Sequence, residues 1–152
     1  TSMLANHGTS FKPRVVSGVR DPVNGTIRRF TPERGASITA TPEQWQIVMA
    51  GMEGAMRGRG TAAATAGRNM TYDIAGKTGT AQVFSVGQNE KYNEKMVPER
   101  LRDHSWFIAF APAEAPRIAV AVLVENGGFG STGAAPIARK VMDAWLLKGG
   151  GA

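Results

Sequence analysis

Two apolar segments that lie five residues apart constrain the fold of this chain more than any other feature. Residues 105–111 are aromatic and aliphatic, residues 112–116 begin and end with proline, and residues 117–125 are almost entirely apolar. A parallel crossover needs a dozen residues or more, so this short turn predicts two antiparallel neighbours. The unbroken apolar run over residues 118–124 further predicts a strand that is covered on both faces.

A third strand is predicted ahead of this pair, over residues 72–86. Small residues interrupt it from 75 to 80, where the sequence reads Ala-Gly-Lys-Thr-Gly-Thr. Residues 87–103 form a polar and charged connection, in which we expect a helical turn at 98–101. The three strands together span residues 72–125.

Two helices are predicted to flank the strands. Thr41-Pro42 supplies an N-cap followed by a proline at the first helical position, and residues 42–57 continue at helical spacing until Gly58. The second helix spans residues 134–148. The residues expected to face the core are Trp45, Val48, Met49, Met52, Ala55 and Met56 on the first helix, and Ala138, Val141, Met142 and Trp145 on the second. Helices on an antiparallel sheet make an α+β layer structure.

The first 40 residues are predicted to hold a helix end and a small hairpin. Residues 4–8 end in Asn-His-Gly, and Asn and Gly readily adopt the left-handed conformation that closes a helix. Residues 14–20 and 26–30 flank Asn24-Gly25, a strong hairpin signal. The predicted order is therefore residues 1–40, a packing helix over 41–58, the three strands and the terminal helix.

Composition excludes several classes of site. With no Cys and two His among 152 residues, disulfides, thiolate metal sites and a cysteine nucleophile are excluded, and we expect no metal. The formal charge is +6, but the basic groups lack interleaved aromatics and a recognisable nucleic-acid-binding motif, so we expect no nucleic acid. The chain begins Thr-Ser-Met, which leads us to expect a longer gene product.

The segment Gly76-Lys77-Thr78-Gly79-Thr80 has two mechanistic interpretations. A phosphate-binding P-loop requires glycine five positions before Gly76, where Thr71 stands, and requires a helix where this sequence continues as strand. The alternative is the lysine-threonine-glycine element of penicillin-recognising serine enzymes. A glycine-weakened strand with an exposed lysine has the same pattern, so the surrounding sequence has to decide.

The residue types fit the second chemistry. Alternate residues of a strand share a face, so Thr78 and Thr80 present their hydroxyls together. Lys77 supplies a positive charge for a carboxylate. Gly79 lets a ligand backbone lie along the strand, and a main-chain N–H can stabilise an oxyanion.

The surrounding sequence resembles the C-terminal half of the transpeptidase domain of elongation-specific class B penicillin-binding proteins, the penicillin-binding protein 2 type. The resemblance covers nearly the whole chain. It rests on A-G-K-T-G-T-A-Q-V-F at 75–84, R-L-R-D-H-S-W-F-I-A-F-A-P at 100–112, I-A-V-A-V-L-V-E-N-G-G at 118–128, and G-T-A at 60–62. The A-Q-V-F and R-L-R-D-H stretches favour this type over the division-specific relative.

The resemblance implies a fold and a reaction. The fold is a five-stranded antiparallel sheet flanked by helices, as in serine β-lactamases, with strands three to five in this chain. The reaction cross-links peptidoglycan stem peptides ending in D-Ala-D-Ala through a serine acyl-enzyme, which β-lactams trap, with no cofactor. The implied catalytic residues are Lys77 and Thr80, whose N–H would serve an oxyanion hole. The implied substrate-binding residues are Lys77, Thr78, Gly79 and Thr80.

The chain departs from the family pattern at the nucleophile. The family's S-x-x-K and S-x-N motifs are both absent from the sequence. The residues three positions after the seven serines are Ala5, Pro13, Arg20, Ala40, Gln88, Ile108 and Ala134. We therefore expect the remainder of the transpeptidase domain to supply the serine, and this chain alone to be inactive.

The resemblance also implies a location and partners. It places the parent protein at the periplasmic face of the inner membrane, held by an N-terminal helix and working with the elongation machinery. The competing hypothesis is a non-catalytic α+β module that binds cell wall or nucleic acid. A catalytic parent must carry S-x-x-K upstream, whereas a binding module would fold as it stands.

Overall fold

The structure, a computed structural model, describes residues 1–83 and 96–149. Three α-helices, seven strands and one 3₁₀ turn are found in these residues. They are α1 (Ser2–Ala5), β1 (Thr9–Phe11), β2 (Gly18–Arg20), β3 (Ile27–Arg29), β4 (Arg34–Ser37), α2 (Pro42–Gly54), β5 (Ala75–Ala81), the 3₁₀ turn (Glu99–Leu101), β6 (His104–Ala111), β7 (Ile118–Val124) and α3 (Ala135–Leu147).

The main sheet has the order β5-β6-β7, and both of its pairings are antiparallel. This confirms the predicted antiparallel pair and the α+β class. The first strand is shorter than predicted: residues 72–74 precede β5 without strand pairing, and residues 84–86 lie outside the described residues. Residues 87–95 of the predicted connection also lie outside them, while the helical turn predicted at 98–101 is present at Glu99–Leu101.

The two faces of the sheet are packed differently. On one face the side chains of Phe107 and Ala109 are fully buried under α3 and the segment that follows α2. On the other face Phe110 packs with Met52 of α2 and with Leu4 of α1, which leaves the far end of that face open. The strand register places Thr78 and Thr80 on the first face and Lys77 on the second.

The prediction that both faces of the strand at 118–124 are covered is wrong in this chain. Exposure alternates along β7, with Ile118, Val120, Val122 and Val124 partly buried and Ala119, Ala121 and Leu123 exposed. Two of the three exposed residues are alanines, whose small side chains lose little when they face water.

Helix α2 begins as predicted and ends earlier. Thr41 accepts a hydrogen bond from the backbone N–H of Gln44, whose side chain accepts one from the Thr41 N–H, forming a capping box. The helix ends at Gly54 instead of continuing to Arg57, because Met56 N and Arg57 N turn to carbonyls three residues back.

The predicted inward-facing stripes are partly wrong. On α2 the structure buries Met52, and Met56 is buried just beyond the helix, but Val48 is 42% exposed. On α3 it buries Ala138 and Met142 together with Ala135. Val141 and Trp145 are 46% and 42% exposed.

The first 40 residues form two separate ribbons. Strands β2 and β3 pair around Asn24-Gly25 and confirm the hairpin. The predicted helix end is present, but the left-handed residues are His7 and Gly8, with φ of 45° and 94°, whereas Asn6 has φ of −107°. The pairing of β1 with β4 was not predicted from the sequence. Within residues 1–83 and 96–149, no helix has the length and apolar character needed to cross a bilayer.

Candidate active site

The four predicted site residues lie on β5, which is an edge of the main sheet. Thr78 is opposite Phe107 and Thr80 is opposite Ser105, so the two hydroxyls share a face. A cavity of about 420 Å³ borders this strand. It is lined by Thr61, Lys77, Thr78, Gly79, Thr80, Phe129, Gly130 and Ser131. The site predicted from the sequence consisted of β5 alone. The fold adds two further segments to it, at Thr61 and at 129–131.

Lys77 is the positive charge of the cavity. Its side chain is exposed, and its Nζ donates a hydrogen bond to the Thr78 carbonyl oxygen at 2.6 Å. In the described part of the chain, no carboxylate lies within ion-pair distance of this ammonium group. Its charge is therefore available to an anionic ligand.

Thr61 forms one wall of the cavity. It follows Gly60, which is pressed so closely on α2 that an added β-carbon would lie 2.2 Å from the Gly54 carbonyl oxygen. Ala62 is buried, and its N–H donates to the Ala55 carbonyl oxygen at 2.9 Å. Fixed on both sides, Thr61 accepts a hydrogen bond from the Thr78 hydroxyl, with 3.1 Å between the two oxygens.

The loop at 127–133 forms the opposite wall. Gly130 lies directly on β5 and β6, because a β-carbon added there would be 2.4 Å from the Gly79 carbonyl oxygen and 2.3 Å from that of Trp106. The buried Ser105 hydroxyl donates to the Phe129 carbonyl oxygen at 3.0 Å and fastens the loop to the sheet. The Phe129 side chain is 57% exposed at the rim.

A second cavity, of about 490 Å³, lies beside the first. Thr80, Gln82, Asp103 and Phe129 line it, so Thr80 and Phe129 separate the two spaces. A further cavity of about 490 Å³ lies against the β2–β3 hairpin and contains none of the predicted site residues.

A polar network behind the site ties α3 to the segment at 66–72. The Arg139 guanidinium donates to Asp143 at 2.8 Å and to the Ala66 carbonyl oxygen at 2.9 Å, and it lies 5.5 Å from the centre of the Tyr72 ring. The Tyr72 hydroxyl donates to Asp143 at 2.6 Å. This network holds the far end of the segment that begins at Thr61.

The network shifts two pKa values. Burial, together with the neighbouring Asp143 carboxylate, raises the pKa of Tyr72 well above its ordinary value. Burial alone would raise the pKa of Asp143 as well, but hydrogen bonds from Tyr72 and Arg139 and the Arg139 charge outweigh it, so this pKa is lowered.

The adjacent Asp103, His104 and Ser105 do not form a catalytic triad. His104 Nδ1 accepts a hydrogen bond from the Asn126 N–H at 2.9 Å, while Ser105 bonds to the loop. His104 therefore joins the start of β6 to the turn at Asn126, which is a structural role. In the described residues no lysine ammonium forms a hydrogen bond with a serine hydroxyl, so no activated serine is found there.

Sequence reasoning missed Thr61 and the loop at 129–131 as parts of the site. Gly60-Thr61-Ala62 was visible only as a stretch shared with a family. The glycine-rich run at 126–130 has the composition of a loop but contains no residue type that points to chemistry. Thr61 and Lys77 are 16 positions apart in sequence, and tertiary packing alone brings the two together.

Comparisons with known proteins agree with this geometry. The penicillin binding protein transpeptidase domain model matches residues 1–143. The chain is 40% identical over 150 residues to the peptidoglycan D,D-transpeptidase MrdA of Acinetobacter baumannii, covering 97% of this chain and 21% of that protein. The chain spans about a fifth of the length of the curated relatives it matches.

Solved structures of similar proteins carry ligands and a partner. Pseudomonas aeruginosa PBP2 in complex with WCK 5153 has a TM-score of 0.66 and 38% identity, covering 99% of this chain and 30% of that one. The ceftriaxone acyl-enzyme of Mycobacterium tuberculosis penicillin-binding protein A has a TM-score of 0.73 and 32% identity, covering 95% and 30%. Helicobacter pylori PBP2 in complex with MreC has a TM-score of 0.55 and 30% identity, covering 69% and 18%.

Proposed function

This chain belongs to the penicillin-binding protein transpeptidase family, and from that premise we propose that it forms the carboxylate-binding side of a D,D-transpeptidase active site of the penicillin-binding protein 2 type. The observation that carries the proposal is the cavity on β5. The Lys77 side chain starts on the opposite face of the sheet from the aligned hydroxyls of Thr78 and Thr80, but its Nζ reaches the Thr78 carbonyl oxygen and the residue borders the same cavity. None of the ion pairs among the described residues includes Lys77.

The proposed ligand is the D-Ala-D-Ala end of a peptidoglycan stem peptide, or a β-lactam that mimics it. Both carry a carboxylate. Thr78 and Thr80 donate hydrogen bonds to this carboxylate while Lys77 supplies the opposite charge, and hydrogen bonds to ionised groups are about twice as strong as neutral ones. Because β5 is a sheet edge, the peptide backbone pairs along it as an added strand.

Thr80 has a second proposed role through its backbone. Residues of an edge strand alternate between pairing with the neighbouring strand and pointing away from it. The Thr78 carbonyl oxygen accepts a hydrogen bond from Lys77 Nζ. This supports the assignment that the backbone groups of Thr78, and of Thr80 two residues later, point away from β6. We assign the Thr80 N–H to the oxyanion that develops on the attacked carbonyl.

The nucleophile in this proposal comes from an S-x-x-K segment outside the 152 residues. The serine oxygen attacks the carbonyl of the penultimate D-Ala, the C–N bond to the terminal D-Ala breaks, and that D-Ala leaves as the free amino acid after taking up a proton. The amine of a second stem peptide then attacks the ester, which forms the cross-link and regenerates the serine. This chain contributes binding, orientation and oxyanion stabilisation.

The proposed location is the periplasmic face of the bacterial inner membrane, with the parent protein in the elongation machinery. The MreC complex of the Helicobacter pylori relative supports such a partner.

A chimera tests the proposal. The 152-residue chain replaces its matched segment in the Acinetobacter baumannii MrdA, and intact mass is measured before and after incubation with benzylpenicillin. We expect a penicilloyl adduct on the chimera and none on the 152-residue chain alone.

Substitution of Lys77 tests the role of its charge in this chimera. Lys77→Ala should lower the acylation rate about 10- to 100-fold, the value of one charged hydrogen bond. Lys140→Ala, which removes an exposed lysine from α3, is the matched control and should not change the rate. A chimera that is never acylated, or a Lys77→Ala variant as fast as the control, would refute the proposal.

A further inference from the structure

Thr61 stands out among the residues that line the cavity because it touches a predicted ligand-binding hydroxyl directly. Its Oγ1 accepts a hydrogen bond from Thr78 Oγ1 at 3.1 Å, although the two residues are 17 positions apart in sequence. Both side chains border the same cavity. No other side chain of the described residues forms a hydrogen bond with the side chain of Thr78.

We propose that Thr61 is a positioning residue that orients the Thr78 hydroxyl toward the carboxylate of the donor peptide. This inference rests on the function proposed above and adds one residue to it. A threonine hydroxyl has one proton and two acceptor lone pairs, and it rotates to suit its partners. A carboxylate can only accept hydrogen bonds. Thr78 can therefore bind a carboxylate only by pointing its single hydroxyl proton toward that group.

Thr61 completes the arrangement when that proton turns. A hydrogen bond joins the two hydroxyls, and either one can supply its proton. Once Thr78 donates to a carboxylate, Thr61 rotates and donates to a lone pair of Thr78. The Thr78 hydroxyl is then held by a donor on one side and an anion on the other, and bonds in such a chain polarise and strengthen one another.

The surrounding packing suits a positioning role. Gly60 and buried Ala62 fix the backbone on either side of Thr61. The Thr61 side chain itself is exposed and carries no part of the apolar core. The backbone of Thr61 is therefore held in place, while its side chain contributes little to folding.

Two ligands that differ only at the carboxylate separate positioning from a structural role. Benzylpenicillin and its methyl ester are reacted with the Acinetobacter chimera, and the second-order acylation rate constant is measured for each. The variants are Thr61→Val, which removes the hydroxyl at constant shape, and Thr61→Ser, which keeps it. Thr71→Val changes an exposed threonine of the same segment outside the cavity and is the control.

The expected result is a change in the ratio of the two rate constants. Thr61→Val should lower the rate with benzylpenicillin about 3- to 10-fold, the value of one net hydrogen bond, and leave the ester rate within about twofold of the parent. Thr61→Ser should restore the benzylpenicillin rate, and Thr71→Val should change neither rate.

Three results would overturn the inference. Equal losses with both ligands would mean that Thr61 only shapes the loop, and an unchanged Thr61→Val rate would mean that Thr78 needs no second hydroxyl. A parent chimera that reacts with neither ligand would refute the proposed function and this inference with it. That result is recognised before any variant is made.

Discussion

The contact between Gly130 and Gly79 yields the sharpest prediction, because it joins the packing of the loop to the geometry of the site. In Gly130→Ala the new β-carbon would start 2.3 Å from the Trp106 carbonyl oxygen and 2.4 Å from that of Gly79. Both neighbours are backbone atoms of paired strands, so neither can rotate away. The loop and β5 must separate by about 1 Å to reach an ordinary contact of 3.4 Å.

The displacement has two measurable effects. Overpacking of this kind costs about 1–3 kcal/mol of the free energy of unfolding. The displaced strand also carries Thr78 and Thr80, and a misplacement of about 1 Å can lower the rate of a positioned reaction about 100-fold. We therefore expect Gly130→Ala to slow acylation of the chimera far more than it lowers its thermal stability.

The assay is the benzylpenicillin acylation rate of the chimera, with thermal unfolding measured on the same samples. Gly51→Ala is the control: an added β-carbon there meets nothing within 4 Å, and alanine stabilises a helix interior by about 0.5–1 kcal/mol. Unlike Thr61→Val, Gly130→Ala should slow benzylpenicillin and its methyl ester alike. If Gly130→Ala reacts at the parent rate, the loop does not set the position of β5 and the reasoning fails.

Two further predictions concern stability and solubility. The pKa of Asp143 is lower in the folded protein than in the unfolded chain, so its ionised form stabilises the fold above about pH 4, and that contribution is lost as the pH falls through the folded pKa. The difference in melting temperature between the parent chimera and Asp143→Asn should thus shrink between about pH 6 and pH 3; a constant difference would count against the network. The isolated 152-residue chain should be poorly soluble, because both β5 and β7 end the main sheet as open edges. A monodisperse preparation that unfolds cooperatively would contradict this.

Local signals explain what could be predicted from the sequence. The cap at Thr41 and the turn at Asn24-Gly25 depend on neighbouring residues, so α2 and the hairpin were found. The lysine-threonine-glycine strand was found because its alternation fixes which residues share a face. Errors arose where distant packing decides: the pairing of β1 with β4 joins Phe11 to Arg34 across 23 positions with an irregular register.

The exposure of β7 and the role of Thr61 also could not be predicted, because both depend on packing between distant segments. An unbroken apolar run cannot distinguish a strand covered on both faces from one whose outward positions are alanines. Thr61 belongs to no sequence motif that by itself indicates a catalytic or binding role. It becomes part of the site only because the packed fold holds Gly60 against the end of α2 and brings the Thr61 hydroxyl to that of Thr78.

The order of the strands has a consequence for assembly. Because β5, β6 and β7 pair strictly in sequence order, and α3 follows them directly, the strand on which the proposed site lies finds its strand partner without any earlier part of the chain. Contacts between neighbours in sequence form faster than contacts between distant segments. We therefore expect the edge of β5 that borders the proposed site to form before segments distant in sequence pack against it.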